Sequence, residues 1–231
     1  MEPLIVDKVE RLSQRFREAS DRRSIIRLDA AHTAVTTDII TQYSYGESSN
    51  HVTDENFKLE WKEALIGGVA NGVLLRHFPW LLPILNAVPL SLLRKIDRNA
   101  ASLMEWRLFV EEKVTEMLEN NQRGNKSDGT IFQTMLDSDL PPEEKSPARL
   151  QDEGQSVVGA GSETTARSLT ILSFYFMQNP TMLGRVRQEL ETVLRPEGEG
   201  WLPQLEKLPY LVRCVMTVPL KKKEKGDTSF I

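Results

Sequence analysis

Several protein classes are excluded by what this sequence lacks. It has one cysteine, Cys214, in 231 residues, so it forms no internal disulfide and does not fit a disulfide-stapled secreted domain. Its three histidines, His32, His51 and His77, are scattered and have no cysteine nearby, so the sequence predicts no metal site. It also has no run of about 18 uninterrupted apolar residues, which argues against a membrane-spanning helix.

An excess of positive charge is missing as well. The chain has 29 lysines and arginines against 33 acidic residues, a net charge of −4, whereas nucleic-acid binding requires a basic surface. We therefore expect no nucleic-acid partner. The N-terminus places Glu2 and Asp7 around a short apolar run, so it resembles neither a signal peptide nor an anchor.

Helical periodicity runs through most of the chain, and no strand pattern persists. The sequence therefore predicts an all-α fold. The predicted helices cover residues 3–19, 30–43, 53–75, 92–120, 131–137, 147–178 and 180–194, and a last one begins at 208. We expect Asp29 to cap the second helix and Thr53 or Asp54 to cap the third.

Residues 78–90 are apolar and interrupted by three prolines, so they cannot form one regular helix. Two interpretations are open. The segment is either a buried connector or an exposed lip that dips into a membrane surface.

The helix predicted over 147–178 has an unusual centre. Gly159, Gly161, Thr164 and Thr165 are poor helix formers, and each glycine costs about 1 kcal/mol relative to alanine. Residues three and four apart share a helix face. One such stripe contains Val157, Ala160, Gly161, Thr164 and Ser168.

This stripe has two interpretations. Small residues at helical spacing favour close helix packing, and a threonine can bond its own backbone, here Thr164 to the carbonyl of Ala160. Alternatively, the stripe leaves room for a large flat ligand, with the acid Glu163 and the alcohol Thr164 beside it to deliver protons.

Four motifs in order add to this pattern. They are Ala160-Gly161-Ser162-Glu163-Thr164-Thr165, Asn179-Pro180, Arg187-Gln188-Glu189-Leu190 and Leu208-Pro209-Tyr210-Leu211. In order and spacing the series resembles the cytochrome P450 family of haem-thiolate monooxygenases, most closely the fungal microsomal members of secondary metabolism. The family domain is about twice as long, so the resemblance implies its central helical part over residues 1–217.

The resemblance implies roles for the matched residues. Ala160, Gly161 and Thr165 would contact haem, and Glu163 with Thr164 would deliver protons during oxygen activation. Val157 and Ser168 would contact a small apolar substrate. The family takes electrons from a reductase and inserts one oxygen atom of O2 into its substrate, and the iron cofactor supplies that chemistry.

The sequence also departs from the family pattern. The family's iron ligand is a cysteine in a glycine-rich loop, and Cys214 stands without glycines at the start of a helix. Thr217 and Leu220 occupy the places of the family's paired Glu and Arg. Residues 218–231 contain Pro219 and a lysine-rich run, so we expect a non-homologous, disordered tail.

Two function hypotheses follow. The chain is either part of a P450 monooxygenase, lacking the iron ligand and inactive alone, or a haem-free helical module that binds an apolar ligand or partner. The family resides at the endoplasmic reticulum membrane. Without the family's anchor we expect a cytoplasmic chain, with peripheral membrane contact at 78–90.

Overall fold

A computed structural model describes residues 1–126, 129–193 and 202–217, with the side chains of 68–75, 99 and 202 left out of the description. Within these ranges the regular structure is helical and contains no strand, as the sequence predicts. The α-helices are α1 (Glu2–Arg22), α2 (Leu28–Tyr45), α3 (Leu59–His77), α4 (Leu81–Ala87), α5 (Leu90–Ile96), α6 (Arg98–Gln122), α7 (Ile131–Asp137), α8 (Pro147–Gln178), α9 (Pro180–Glu191), α10 (Leu202–Leu205) and α11 (Pro209–Thr217). Two 3₁₀ turns cover His51–Thr53 and Pro142–Lys145.

Helix α8 has the bounds that the sequence predicts, because both of its ends carry strong local signals. The Ser146 hydroxyl accepts from the backbone N–H of Arg149, and Pro147 occupies the first helical position. At the other end, Pro180 opens α9 immediately after Asn179. The helix has 32 residues and is therefore about 48 Å long.

The main core forms where α8 packs on α2 and α6. Its fully enclosed members include Leu65, Val110, Phe132, Leu150 and Val158. A second cluster, around Leu12, Ala31, Val35 and Phe57, joins α1 to the other side of α2. Helix α2 is therefore buried on two sides.

Helix α3 begins at Leu59, so the prediction of a helix from residue 53 is wrong. Phe57 and Lys58 have φ values of 55° and 49°, in the left-handed region, and they interrupt the helix. Asp54 does not cap α3. Its carboxylate accepts from the backbone N–H groups of Asn56 and Lys58, both at 3.0 Å, and closes the turn.

Two further predictions need correction. The N-cap of α2 is Arg27, and Asp29 lies inside the first turn. The helix predicted over 92–120 is divided at Asp97, whose φ of −147° is extended.

Helix α4 has no buried residue, so the segment 78–90 is not a buried connector. The expected tail, 218–231, lies outside the described residues.

Candidate functional site

The two faces of α8 differ sharply in their surroundings. Buried residues recur every four positions along the face that meets α2 and α6, at Leu150, Gly154, Val158, Ser162 and Ala166. On the other face, four predicted site residues are exposed, namely Ala160, Thr164, Thr165 and Ser168. We call this second surface the open face.

The glycines belong to the packed side. A Cβ atom at Gly159 would lie 2.8 Å from Cζ2 of Trp106 in α6, and one at Gly161 would lie 2.6 Å from Cγ1 of Ile40 in α2. Both distances are shorter than any ordinary carbon–carbon contact. Gly161 is therefore directed at α2, whereas Ala160 lies on the open face.

The turn from Ala160 to Thr164 has the local geometry that the sequence predicts. The Thr164 hydroxyl donates to the carbonyl oxygen of Ala160 at 2.6 Å. One turn further along, the Ser168 hydroxyl donates to the carbonyl oxygen of Thr164 at 3.0 Å. Because the proton of Thr164 is engaged, its hydroxyl oxygen retains lone pairs that can accept a hydrogen bond from a ligand or water on the open face.

Glu163 lies at the boundary between the two faces and is half-buried. Burial raises the pKa of its carboxyl group, and the positive charges of Lys62 and Arg167 only partly oppose this effect. Lys62 is itself ion-paired with Asp29, which also binds Arg27 at 2.9 Å. A carboxyl group with a raised pKa holds its proton to a higher pH than an ordinary glutamate does.

Contacts from α2 to α8 were missed by the sequence reasoning. His32 Nδ1 lies 3.0 Å from the hydroxyl of Thr170, and that hydroxyl donates to the carbonyl oxygen of Ala166 at 2.8 Å. Thr36 and Thr37 both contact Ser162. The sequence does contain a signal for these contacts. Helix α2 carries four threonines although most of its residues are buried, and buried hydroxyl groups need hydrogen-bond partners.

The structure thus brings most of the predicted site together on one helix surface. Ala160, Thr164, Thr165 and Ser168 are exposed together, and Val157 is half-buried beside them. A model of the cytochrome P450 family matches residues 1–216. The chain belongs to this family.

Two relatives of this P450 chain come from Penicillium species. It is 38% identical over 223 residues to the cytochrome P450 monooxygenase claJ of Penicillium crustosum, covering 93% of this chain and 50% of that protein. It is 34% identical over 221 residues to the conidiogenone synthase PchP450 of Penicillium rubens, covering 96% and 44%. The chain therefore spans about half the length of the curated relatives it matches.

A solved cytochrome P450 structure has the same helical arrangement. It superposes with a TM-score of 0.66 at 18% identity, covering 94% of this chain and 45% of that one.

Among the described helices, none is long and apolar enough to cross a membrane. In the same part of the chain, no cluster of His, Cys, Asp or Glu side chains is placed to hold a metal ion.

Two of the P450 motifs named above meet where α9 contacts the start of α11. The carboxylate of Glu189 in α9 accepts from the backbone N–H groups of Tyr210 and Leu211, both at 2.8 Å. These are orphan donors at the N-terminus of α11, which favours negative charge. The guanidinium of Arg185 lies over the Tyr210 ring at 4.8 Å. The Arg-x-Glu-Leu and Leu-Pro-Tyr-Leu motifs are therefore two halves of one helix junction.

Proposed function

We propose that this chain supplies the central helical part of a haem-dependent monooxygenase that oxidises a small apolar molecule. The observation that carries the proposal is the open face of α8. There the Thr164 hydroxyl, bonded to Ala160 at 2.6 Å, stands exposed next to Glu163. The open face is long, lined by small side chains and suited to a large flat group.

The residues of the open face would take different parts. Ala160 and Thr165 would contact the haem plane, and Val157 with Ser168 would contact the substrate. Gly161 would contribute indirectly, because it lets α2 approach and so leaves Ala160 outermost. When bound, haem supplies the oxygen activation, with electrons from a reductase.

Glu163 and Thr164 would move protons in this site. The raised pKa of Glu163 makes its carboxyl group a proton donor at pH values where an ordinary glutamate is ionised. The hydroxyl of Thr164 would hold a water molecule through its oxygen lone pairs. Glu163 also lies within the electrostatic influence of Lys62, which is ion-paired with Asp29.

Cys214 is not suited to hold the iron, so we propose that the thiolate belongs to a segment of the family domain outside the matched residues. Cys214 is only 6% exposed, and burial raises the pKa of its thiol, as does nearby Glu189. A buried thiol of this kind remains protonated, whereas a haem ligand must be a thiolate.

The proposal can be tested in two steps. First, a chimera of the Penicillium crustosum monooxygenase should carry residues 147–178 of this chain as its central helix. We expect Thr164→Ala in the chimera to preserve substrate binding but divert reducing equivalents to peroxide, slowing the proton-dependent step about 100-fold. Product formed per cofactor oxidised is the readout, with Ser156→Ala, an exposed serine two turns away, as the control. If product formed per cofactor oxidised is unchanged in Thr164→Ala, Thr164 has a packing role and does not deliver protons.

Second, haem should be titrated into the 231-residue chain itself. We expect the reduced carbon monoxide spectrum to lack the red-shifted band of thiolate-ligated haem, because Cys214 is buried and protonated. A red-shifted band would refute the assignment of the ligand to another segment. A rise in melting temperature with apolar ligands but not with haem would favour the haem-free binding module.

The corner formed by α4 and α5 is proposed as a peripheral membrane contact and substrate entry. Its exposed apolar side chains include Phe78, Trp80, Ile84 and Leu92, of which Trp80 is 61% exposed. Aromatic and aliphatic side chains in such a patch insert at the headgroup boundary. We expect the double variant Phe78→Ser and Trp80→Ser to lose co-sedimentation with lipid vesicles. Ile25→Ser, which removes a 98% exposed apolar side chain elsewhere, should retain it.

A further inference from the structure

Three polar side chains connect α2 and α8 inside the protein. The hydroxyl of Thr37 donates to the hydroxyl of Ser162 at 3.1 Å. The single hydroxyl proton of Thr36 is shared, since the carbonyl oxygen of Ser162 and that of His32 in its own helix both lie 2.9 Å away. The indole N–H of Trp61 in α3 donates to Thr37 at 3.2 Å. Ser162 and Thr37 are 0% exposed and Thr36 is 5% exposed. We call Thr36, Thr37 and Ser162 the hydroxyl clamp.

The clamp holds α8 directly behind its acid–alcohol pair. Ser162 immediately precedes Glu163, and Thr164 follows two residues after Ser162. Successive residues in an α-helix are separated by about 100°, so Ser162 and Thr164 point in nearly opposite directions. Whatever fixes the direction of Ser162 therefore also fixes the direction of Thr164 toward the open face.

Hydrogen bonds restrict the rotation of a helix more narrowly than apolar contacts do. A rotation of α8 by one residue would separate Ser162 from both threonines in a region without solvent. The bond between the Ser162 and Thr37 hydroxyls would be lost there, whereas Thr36 would keep the carbonyl oxygen of His32 in its own helix. Gly161 allows this close approach of α2, since a Cβ atom there would meet Ile40, and Gly159 allows the approach of Trp106 from α6. The packing makes the approach possible, and the clamp selects one rotation.

We propose that Thr36, Thr37 and Ser162 are positioning residues that set the rotation of α8 about its axis and so present Glu163 and Thr164 on the open face. The role of that pair rests on the proposed function. The rotation itself is a property of the folded chain and can be measured without haem or substrate.

Helix α2 contains a matched control for this proposal. Thr33 is 2% exposed, like the clamp threonines, but its hydroxyl donates to the carbonyl oxygen of Asp29 in its own helix at 2.9 Å. Thr33→Val and Thr37→Val are therefore the same substitution in the same buried helix. Only Thr37→Val removes a hydrogen bond to α8.

The test uses the whole 231-residue chain with Cys214→Ala and two spin labels. One label replaces Ser168 on the open face of α8, and the other replaces Asp21, an exposed residue of α1. Pulsed dipolar spectroscopy gives the distance distribution between them. Side chains lie roughly 5 Å from a helix axis, so a rotation by one residue moves the α8 label by roughly 5 Å or more.

We expect Thr37→Val to shift or broaden the distribution by roughly this amount. Thr37→Ser, which keeps the hydroxyl, and Thr33→Val should leave the distribution as it is in the parent. Ser162→Ala removes the other partner without adding bulk and should act like Thr37→Val, including when Thr37→Val does not fold. An unchanged distribution in Ser162→Ala, or an equal change in Thr33→Val, would overturn the proposal. Neither outcome would bear on the proposed monooxygenase function, which the chimera tests separately.

Discussion

The packed face and the open face of α8 are built from the same kinds of residue and behave differently. Gly159 and Ser162 on the packed side have close partners in α6 and α2. Ala160 and Thr164 are equally small, yet they are exposed on the open face. Small residues alone therefore do not distinguish a helix contact from a ligand surface. The distinction comes from what the neighbouring helices place opposite them.

The largest effect should appear when an enclosed and an exposed leucine of α8 are each truncated. Leu150 is 0% exposed and Leu169 is 36% exposed, and both belong to α8. We expect Leu150→Ala to lower the free energy of unfolding by about 2–5 kcal/mol, because it leaves a cavity in the core. Leu169→Ala should cost less than about 1 kcal/mol. Denaturant unfolding of the two variants measures both values, and similar costs would mean that Leu169 is covered in the isolated chain.

Acid should destabilise the core through His51, a buried residue of the turn between α2 and α3. This side chain is enclosed beside Trp61 and Phe109, and burial lowers its pKa to about 4, with Lys58 adding to the effect. The unfolded chain, with an ordinary pKa near 6.5, therefore binds more protons between pH 6.5 and 4. Stability is full above pH 6.5 and falls as the pH drops through this window. The difference of about 2.5 in pKa corresponds to a loss of about 3 kcal/mol.

His51→Phe keeps a ring in this aromatic cluster but cannot be protonated. Unfolding measured at several pH values should show a flatter profile between pH 6.5 and 4 in the variant. The buried His32, whose pKa is also lowered by desolvation, should leave a residual slope in the same direction. A profile as steep as that of the parent would mean that His51 is protonated without cost in the folded chain.

A methyl group added to the packed side at Gly159 should lower the free energy of unfolding. Alanine at position 159 would improve helix propensity by about 1 kcal/mol, but its Cβ would lie 2.8 Å from the Trp106 ring. Overpacking of this kind costs about 1–3 kcal/mol, so we expect net destabilisation of up to about 2 kcal/mol. Gly184→Ala in α9 is the matched control, because no atom lies within 4 Å of the added Cβ. It should stabilise the chain by about 0.5–1 kcal/mol in the same thermal unfolding assay.

The smallest effect is expected at Glu163, between the two faces. Its folded-state pKa is raised above the unfolded value of 4.5, so its contribution to stability is present below pH 4.5 and is lost as the pH rises through the folded pKa. Glu163→Gln should therefore raise the melting temperature more at pH 7 than at pH 4. The gain should be less than about 1 kcal/mol, because solvent screens a half-exposed group. Glu191→Gln, at an exposed position of α9, is the matched control for the substitution itself.

The bounds of α8 could be predicted because its signals are local. Ser146 with Pro147 opens the helix, and Pro180 prevents its continuation, and both effects depend only on neighbouring backbone groups. The start of α3 could not be predicted in this way. Phe57 takes a left-handed conformation that bulky residues rarely adopt, with its ring packed 4.7 Å from the guanidinium of Arg15 in α1. A contact between residues 42 positions apart leaves no trace in local periodicity.

The site was predictable to a similar extent. The contact between Thr164 and Ala160 lies within one helical turn, and the sequence predicted it. The orientation of Gly161 was beyond the sequence, because a glycine has no side chain whose polarity indicates a direction. The partners of Ser162 were also beyond it, since Thr36 and Thr37 lie more than 120 positions away.

The junction at Glu189 has a consequence for the order in which the chain acquires structure. The described part of α11, Pro209–Thr217, has nine residues, and isolated helices of that length are marginal in water. Two of its first N–H groups are bonded by a carboxylate that α9 carries. As the ribosome releases α8 and α9 before α11, the later helix becomes stable when it docks on these earlier helices. Helices α9 and α11 should therefore open and close as one cooperative unit, and their amide hydrogens should exchange together.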